Sequence, residues 1–236
     1  MMTLDCFRPQ ELKFLKRHGE RILIASFFGN NRPCKFVEFQ QKVFSNFGFP
    51  VNHVLTDFSR YGHGSAIDCF LRKVGRAYDY FILFDTDAVP LKPDFIKVVY
   101  DKIRDKRTLF GIAQQSNHIF VNSSKNHLYV GPGALAISRE LYFRLGRPTF
   151  SDTHRSDTAE ELTWSAEKLG CTVALIFPSH VHHRLWDLGN GHFFGIGTTY
   201  GDCVFHAFCP LQDRSRRLFA RKCKQILGKR RAGRGC

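Results

Sequence analysis

Apolar runs alternate with helical patterns through the first half of the chain. Residues 21–28 (RILIASFF) are almost continuously apolar and predict a strand. Residues 34–47 place Phe36, Phe39, Val43 and Phe47 on one helical face, and residues 50–56 form a second strand-like run, so the three together predict the start of a βαβ unit. A helix over residues 65–74, with Ile67, Phe70, Leu71 and Val74 inward, leads into residues 80–84 (YFILF). That run does not alternate with polar positions, as expected of a strand covered on both faces. Another helix is predicted over residues 93–104. Strands alternating with helices imply an α/β fold with a mainly parallel central sheet, whose ligands sit beyond the carboxyl ends of the strands.

The second half is less regular. Residues 108–113 and 129–137 predict strands, the latter interrupted by Gly131-Pro132-Gly133, and residues 158–169 predict a helix before a strand over 172–177. Residues 179–200, rich in histidine and glycine, read as a long loop of the kind that forms a lid or binding segment. No repeat or linker calls for a second domain.

The buried run over 80–84 ends in Asp85-Thr86-Asp87. In extended backbone the two carboxylates point the same way and repel unless a cation or protons lie between them. A pair of hard oxygen ligands suits Mg²⁺ or Mn²⁺ better than zinc, and such an ion could hold a diphosphate. The plain alternative is a turn that stops the strand before Pro90.

Composition fits a globular chain: 236 residues, 43% hydrophobic. No stretch approaches the roughly 20 apolar residues that span a bilayer, and residues 1–20 lack the apolar core of a signal peptide, so the expectation is a cytoplasmic protein. The eight cysteines are scattered without a CxxC pair and are read as mostly free thiols. The net charge of +14 is uneven: residues 214–236 hold ten basic residues and no acidic one, which leaves +4 for residues 1–213. Leu218, Phe219, Ile226 and Leu227 could form one side of an amphipathic helix there, suited to an anionic membrane surface more than to nucleic acid. A solvated helix that frays after Gly228 is the bland alternative.

Together, Asp85-Thr86-Asp87, the segment Gly131-Pro132-Gly133-Ala134-Leu135-Ala136-Ile137-Ser138 and the acidic helix start Asp157-Thr158-Ala159-Glu160-Glu161-Leu162-Thr163-Trp164 resemble the nucleotide-sugar-dependent glycosyltransferases of the GT-A fold, over roughly residues 21–208. The resemblance implies one GT-A, Rossmann-like domain over residues 1–213, with a nucleotide half at about 21–90, an acceptor half at about 108–208, and a basic helix or tail over 214–236. It implies Mn²⁺ or Mg²⁺ as cofactor, a nucleoside diphosphate sugar, first of all a UDP sugar, as donor, and a glycan or other hydroxyl as acceptor. Ser26, Phe28 and Asn30 would border the base, Asp57 would accept a hydrogen bond from a uracil-like ring, and Arg60 would face base or phosphate. Asp85 would lie near ribose and metal, and Asp87 would ligate the metal. His206, in the apolar segment 201–208, is the candidate third ligand, with a core histidine as its alternative; His180, His182, His183 and His192 compete for the role.

Inversion at the anomeric carbon needs a carboxylate to take the acceptor proton. Thr158 with Glu161 fits a capping box, which gives Glu161 a structural duty and leaves Glu160 first and Asp157 second as candidate bases. Glu160 shares a helical face with Trp164 and Glu167, opposite Leu162, Ala166 and Leu169. Trp164 could stack on a sugar or belong to the core, and Trp186 could contact the acceptor. Two rivals stand beside this reading. A nucleotidyltransferase of the same fold would carry a Gly-rich basic loop that residues 27–32 (FFGNNR) match poorly, and a nucleic-acid-binding module would depend on the basic tail.

Overall fold

The computed structural model of the chain describes residues 2–3, 12–29, 34–57, 62–116, 127–189 and 191–232. Two short strands, β1 (Met2–Thr3) and β2 (Leu15–Arg17), precede β3 (Glu20–Gly29), which is followed by α1 (Cys34–Phe47), β4 (Val51–Thr56), α2 (His63–Val74) and β5 (Tyr80–Asp85). Next come β6 (Ala88–Pro90), α3 (Phe95–Ile103), β7 (Thr108–Gln115), β8 (Leu128–Ser138), α4 (Arg139–Arg144) and α5 (Glu160–Lys168). The chain closes with β9 (Thr172–Ile176), β10 (Pro178–Gly189), β11 (His192–Tyr200), β12 (Val204–His206) and α6 (Asp213–Ala232).

The central sheet runs β1-β4-β3-β5-β8-β7-β9, with β2 on the side of β3. The βα units predicted in the first half give parallel pairs, and β7 and β9 are also parallel, but β8 lies antiparallel to both β5 and β7. The sheet is thus mostly parallel with an antiparallel strand set into it. Side chains of β5 alternate between two cores, as a doubly covered strand requires: Phe81 and Leu83 pack on the side of α2 and α5, Tyr80, Ile82 and Phe84 on the side of α3.

Residues 179–200 correct the loop expectation. They form the β10–β11 hairpin, which joins β12 and β6 in a second sheet of four strands, β10-β11-β12-β6. Glycines at 189 and 191, both at positive φ, make the turn. Strand β10 escaped notice because it is an exposed edge with no apolar alternation: residues 182–187 are all exposed. The basic C-terminal helix is also more integrated than expected. Phe219, Cys223 and Ile226 of α6 are buried against Phe36, Val43, Val89 and Phe205, and Leu218 and Leu227 pack on the same cluster, so the apolar side faces the body and the cations Arg214, Arg216, Arg217, Arg221 and Lys224 face outward. Among the described residues, Cys69, Cys171, Cys203 and Cys223 are free thiols, and no helix is long and apolar enough to cross a membrane.

Candidate metal centre and its surroundings

Strand β5 delivers Asp85 at its carboxyl end, the turn Thr86-Asp87 follows, and β6 leads away into the second sheet. There β12 pairs with β6 so that His206 stands opposite Ala88. This pairing brings His206, from the far end of the chain, to the aspartates: its Nε2 lies 3.4 Å from Oδ1 of Asp87 and 3.6 Å from Oδ2 of Asp85. One ligand atom from each of the three residues falls within 4.8 Å of the others. Asp87 and His206 are buried, and Oδ2 of Asp87 and Nδ1 of His206 have no hydrogen-bond partner among the described residues. Two carboxylates and an imidazole with unspent polar capacity in a buried corner fit a divalent cation better than they fit one another.

The surroundings hold these ligands in place. Gly133 presses against the imidazole: a Cβ there would lie 2.4 Å from Nδ1 of His206. Phe208 covers another side of the imidazole, ring centroids 3.7 Å apart, from a turn in which Phe208 and Cys209 both take positive φ, 54° and 47°. Non-glycine residues in that region are strained, and here the strain is offset by Ser215 of α6, whose hydroxyl donates to the carbonyls of Ala207 and Phe208. Gln40 of α1, fully buried, donates to the carbonyls of Asp85 and Ala88, 2.7 Å each, while its Oε1 faces His53 Nε2 at 2.8 Å. Sequence reading missed Gln40, Phe208 and Ser215, because each acts through contacts remote in the chain.

Beyond β5 the strands β7 and β8 continue outward. Their pairing shifts register between Gly111 and Ala113, so the segment Gly131-Pro132-Gly133 bulges from a continuous β8 rather than breaking it. A Cβ on Gly131 would meet the side chain of Gln114, which accepts a hydrogen bond from the Tyr129 phenol at 3.0 Å. Burial, then the carboxylates of Asp157, Glu160 and Asp85, hold that phenol well above its ordinary pKa.

At α5 the expected cap is absent. Ala159 occupies the N-cap position at φ 71° without a side-chain cap, and Glu161 pairs with Arg155 at 2.8 Å instead of reaching back to the helix amides. Glu160, read from sequence as free of structural duty, is fully buried and accepts from Ser116 at 2.8 Å and from the Asp157 amide at 2.8 Å. Its Oε1 lies 2.7 Å from Nδ1 of His127. Burial pushes its carboxyl up, but these hydrogen bonds outweigh burial and leave it below the ordinary glutamate value. Trp164 stacks on His127, centroids 3.9 Å apart, and Leu169 is exposed rather than inward. Asp157 remains half-buried at the helix entrance.

The nucleotide candidates are spread more widely. Ser26 is fully buried in β3, Phe28 is buried with its ring edge-on to His53, and Asp57 is exposed at the end of β4. Asn30 and Arg60 lie outside the described residues. Of the competing histidines, His180, His182 and His183 are exposed along β10, away from the aspartates. Trp186, 36% exposed, packs on Phe194 and Phe208 and is therefore two rings from His206.

No protein-family model matches the sequence, and no curated protein does. Among solved structures, the chain is similar to the catalytic domain of Drosophila beta1,4-galactosyltransferase 7 in complex with xylobiose, at 17% identity and a TM-score of 0.44, over 65% of this chain and 63% of that one. That alignment spans less than two thirds of the galactosyltransferase chain. A mutant of the Drosophila enzyme in complex with manganese, UDP-Gal and xylobiose is similar at 17% identity and a TM-score of 0.45, over 83% and 73% of the two chains. The inositol-1-phosphate CTP transferase from T. maritima is similar at 14% identity and a TM-score of 0.39, over 87% and 78%. At these values the ligands and reactions of the neighbours stay with those proteins. What this chain itself presents is a mixed α/β fold in which an Asp-x-Asp pair and a distant histidine meet at the carboxyl end of a central strand, with Asp87 and His206 buried and Asp85 partly open.

Proposed function

We propose that the chain is a metal-dependent glycosyltransferase that moves a sugar from a nucleoside diphosphate sugar, first of all a UDP sugar, to a glycan or other hydroxyl acceptor. One observation carries the reading: Asp85, Asp87 and His206, far apart in sequence, converge with ligand atoms within 4.8 Å of one another. Bound there, Mn²⁺ or Mg²⁺ would neutralise the charge that develops on the leaving diphosphate. Buried Asp87 and His206, with the more exposed Asp85, would hold it. Ser26, Phe28, Asp57 and Arg60 form the nucleotide side of the same reading. The acceptor proton goes to Asp157 rather than Glu160, because the Glu160 carboxylate is enclosed and already accepts hydrogen bonds from Ser116 and the Asp157 amide. In an inverting transfer Asp157 takes the hydroxyl proton as that oxygen bonds to the anomeric carbon, and the bond to the diphosphate breaks with its electron pair on the diphosphate oxygen. Glu160 serves by fixing the Asp157 backbone.

The decisive variant is Asp87→Ala. It is expected to abolish sugar transfer and Mn²⁺-dependent nucleotide binding while the protein stays folded, and full retained activity would sink the reading. A thermal-shift panel of UDP, GDP, CDP and TDP sugars with Mn²⁺ identifies the donor. Stabilisation by a nucleoside triphosphate together with a sugar phosphate, but by none of these donors, favours the nucleotidyltransferase instead.

Contact with an anionic membrane surface belongs to the same proposal. It is supported by the outward cations of α6, Arg214, Arg217, Arg221 and Lys224, all exposed. Because the apolar side of α6 is packed on the body, this contact is electrostatic and not an insertion.

A further inference from the structure

A cavity of about 750 Å³ opens between α2 and α4, with Asp68, Arg72, Arg76, Tyr142, Phe143 and Arg147 in its lining. It lies far from the metal centre. Helix α2 starts at His63, whose Nε2 is 3.0 Å from Oδ1 of Asp85, and ends beside the cavity at Val74, so its 12 residues place about 18 Å of helix between the two. The three arginines are exposed, and none of them forms an ion pair with a described residue. The single carboxylate in the lining is already engaged: Asp68 accepts from the Thr149 hydroxyl and the Phe150 amide. Burial, then Asp68, push the Tyr142 phenol up to about 12 against the opposite pull of Arg147 and Arg72, so both guanidinium groups act on one wall of the cavity. Arg147 also stands over the Phe143 ring, 5.5 Å from its centroid, and that ring is 39% exposed. The C-terminal dipole of α2 accounts for one cation here, Arg72 in the last turn. It does not account for three around one opening.

We propose that this cavity is a second binding site, for a small organic phosphate monoester, separate from the metal centre. Guanidinium groups grip phosphate oxygens through paired N–H donors. A phosphate monoester carries a charge of about −1.5 to −2 at pH 7, which complements three cations and one carboxylate. The cavity is larger than a bare phosphate ion needs, and it falls within the roughly 300–1,000 Å³ of pockets that hold organic ligands. Phe143 and Leu71 supply an apolar wall for the organic part. No residue of the metal centre takes part, so this site stands whether or not the chain transfers sugar.

The test titrates the full chain with phenyl phosphate by calorimetry at pH 7.5, in EDTA so that the metal centre stays empty. Phenyl sulfate, of similar shape but with a single negative charge, is the charge control. The variants are Arg72→Gln, Arg147→Gln and Arg144→Gln, the last on α4 but outside the cavity lining, with thermal unfolding of each as the folding control. Saturable binding of phenyl phosphate is expected in the wild type and in Arg144→Gln. It should be about tenfold or more weaker in Arg72→Gln and in Arg147→Gln, each of which loses charged hydrogen bonds to the ligand. Phenyl sulfate should bind the wild type more weakly than phenyl phosphate. A wild-type chain that shows no saturable binding overturns the proposal. Folded Arg72→Gln and Arg147→Gln proteins that bind as the wild type does overturn it too, because the ligand then sits elsewhere. An equal loss in Arg144→Gln reduces the effect to general surface charge, and equal affinity for phenyl sulfate removes the monoester; either result rejects the site as assigned.

Discussion

Gly133 is required by space rather than by backbone conformation: it is not among the glycines at positive φ. An added Cβ would come within 2.4 Å of Nδ1 and 2.6 Å of Cε1 of His206, and within 2.7 Å of Ile112 Cδ1. The imidazole cannot retreat, since Phe208 covers it and β12 is pinned between β11 and β6. Gly133→Ala should therefore cost about 1–3 kcal/mol as an overpacked site, which is about 2–4 °C of Tm per kcal/mol in a chain of this size. It should also weaken Mn²⁺ binding by about tenfold or more, by analogy with loss of a ligand-orienting group. Gly131→Ala is the control, because its Cβ would meet the amide end of the flexible Gln114 side chain. Calorimetric Mn²⁺ titration of the two variants decides the point, and equal losses in both would refute the spatial argument. The aspartate pair was legible in the sequence because a buried strand has no other use for two terminal carboxylates. His206 was legible only as one of several histidines, until the β6–β12 pairing selected it. The enclosure of Glu160 was not legible at all: its partners Ser116 and His127 lie 44 and 33 residues away, and helical spacing carries no information about them.

The C-terminal helix shows how an element can carry one message in composition and another in packing. Its basic residues suggested a membrane-facing or solvated helix, but the apolar positions Phe219, Cys223 and Ile226 close a core cluster with Phe36, Val43, Val89 and Phe205, and Ser215 holds the strained turn beside His206. Removing residues 213–236 would uncover Phe36, Val89 and Phe205; losing a single buried phenylalanine such as Phe219 costs about 3–5 kcal/mol, against a total stability of about 5–15 kcal/mol. Truncation after Gln212 is therefore expected to give an unfolded or aggregated chain. Reversing the outward charges instead, with Arg214→Glu, Arg217→Glu and Arg221→Glu together, should leave the melting temperature within a few degrees and abolish co-sedimentation with vesicles rich in phosphatidylserine at low salt. Vesicle binding that survives the triple reversal would remove α6 as the contact. Helices and strands of the first half were legible because each has one apolar face or two, and so a clear period. Strand β10 had none to read: as a polar edge it satisfies its backbone through β11 alone, and its histidines disguised it as a loop.

Across the whole molecule, the two sheets and α1 are tied together by a buried polar chain that runs from His53 in β4 through Gln40 to the carbonyls of Asp85 and Ala88. Because the Gln40 amide nitrogen already donates to both carbonyls, its Oε1 must accept from His53, which assigns the proton of a neutral imidazole to Nε2. Burial pushes the His53 imidazole down to about 4 from 6.5. A histidine with a lowered folded pKa binds more protons when unfolded, so its contribution is fully present above pH 6.5 and is lost as pH falls toward about 4. By pH 5 the loss should be about 2 kcal/mol. Glu160 and Glu161, both held below the ordinary glutamate value, add their own loss only at lower pH, below about 4.5. Urea unfolding at pH 7.5, 6 and 5 should therefore show stability already falling above the range in which Glu160 and Glu161 lose most of theirs. In His53→Gln, which keeps a donor toward Gln40 but has no proton to gain in this range, the decline between pH 7.5 and 5 should flatten. An equally steep decline in the variant would place the pH dependence on other groups.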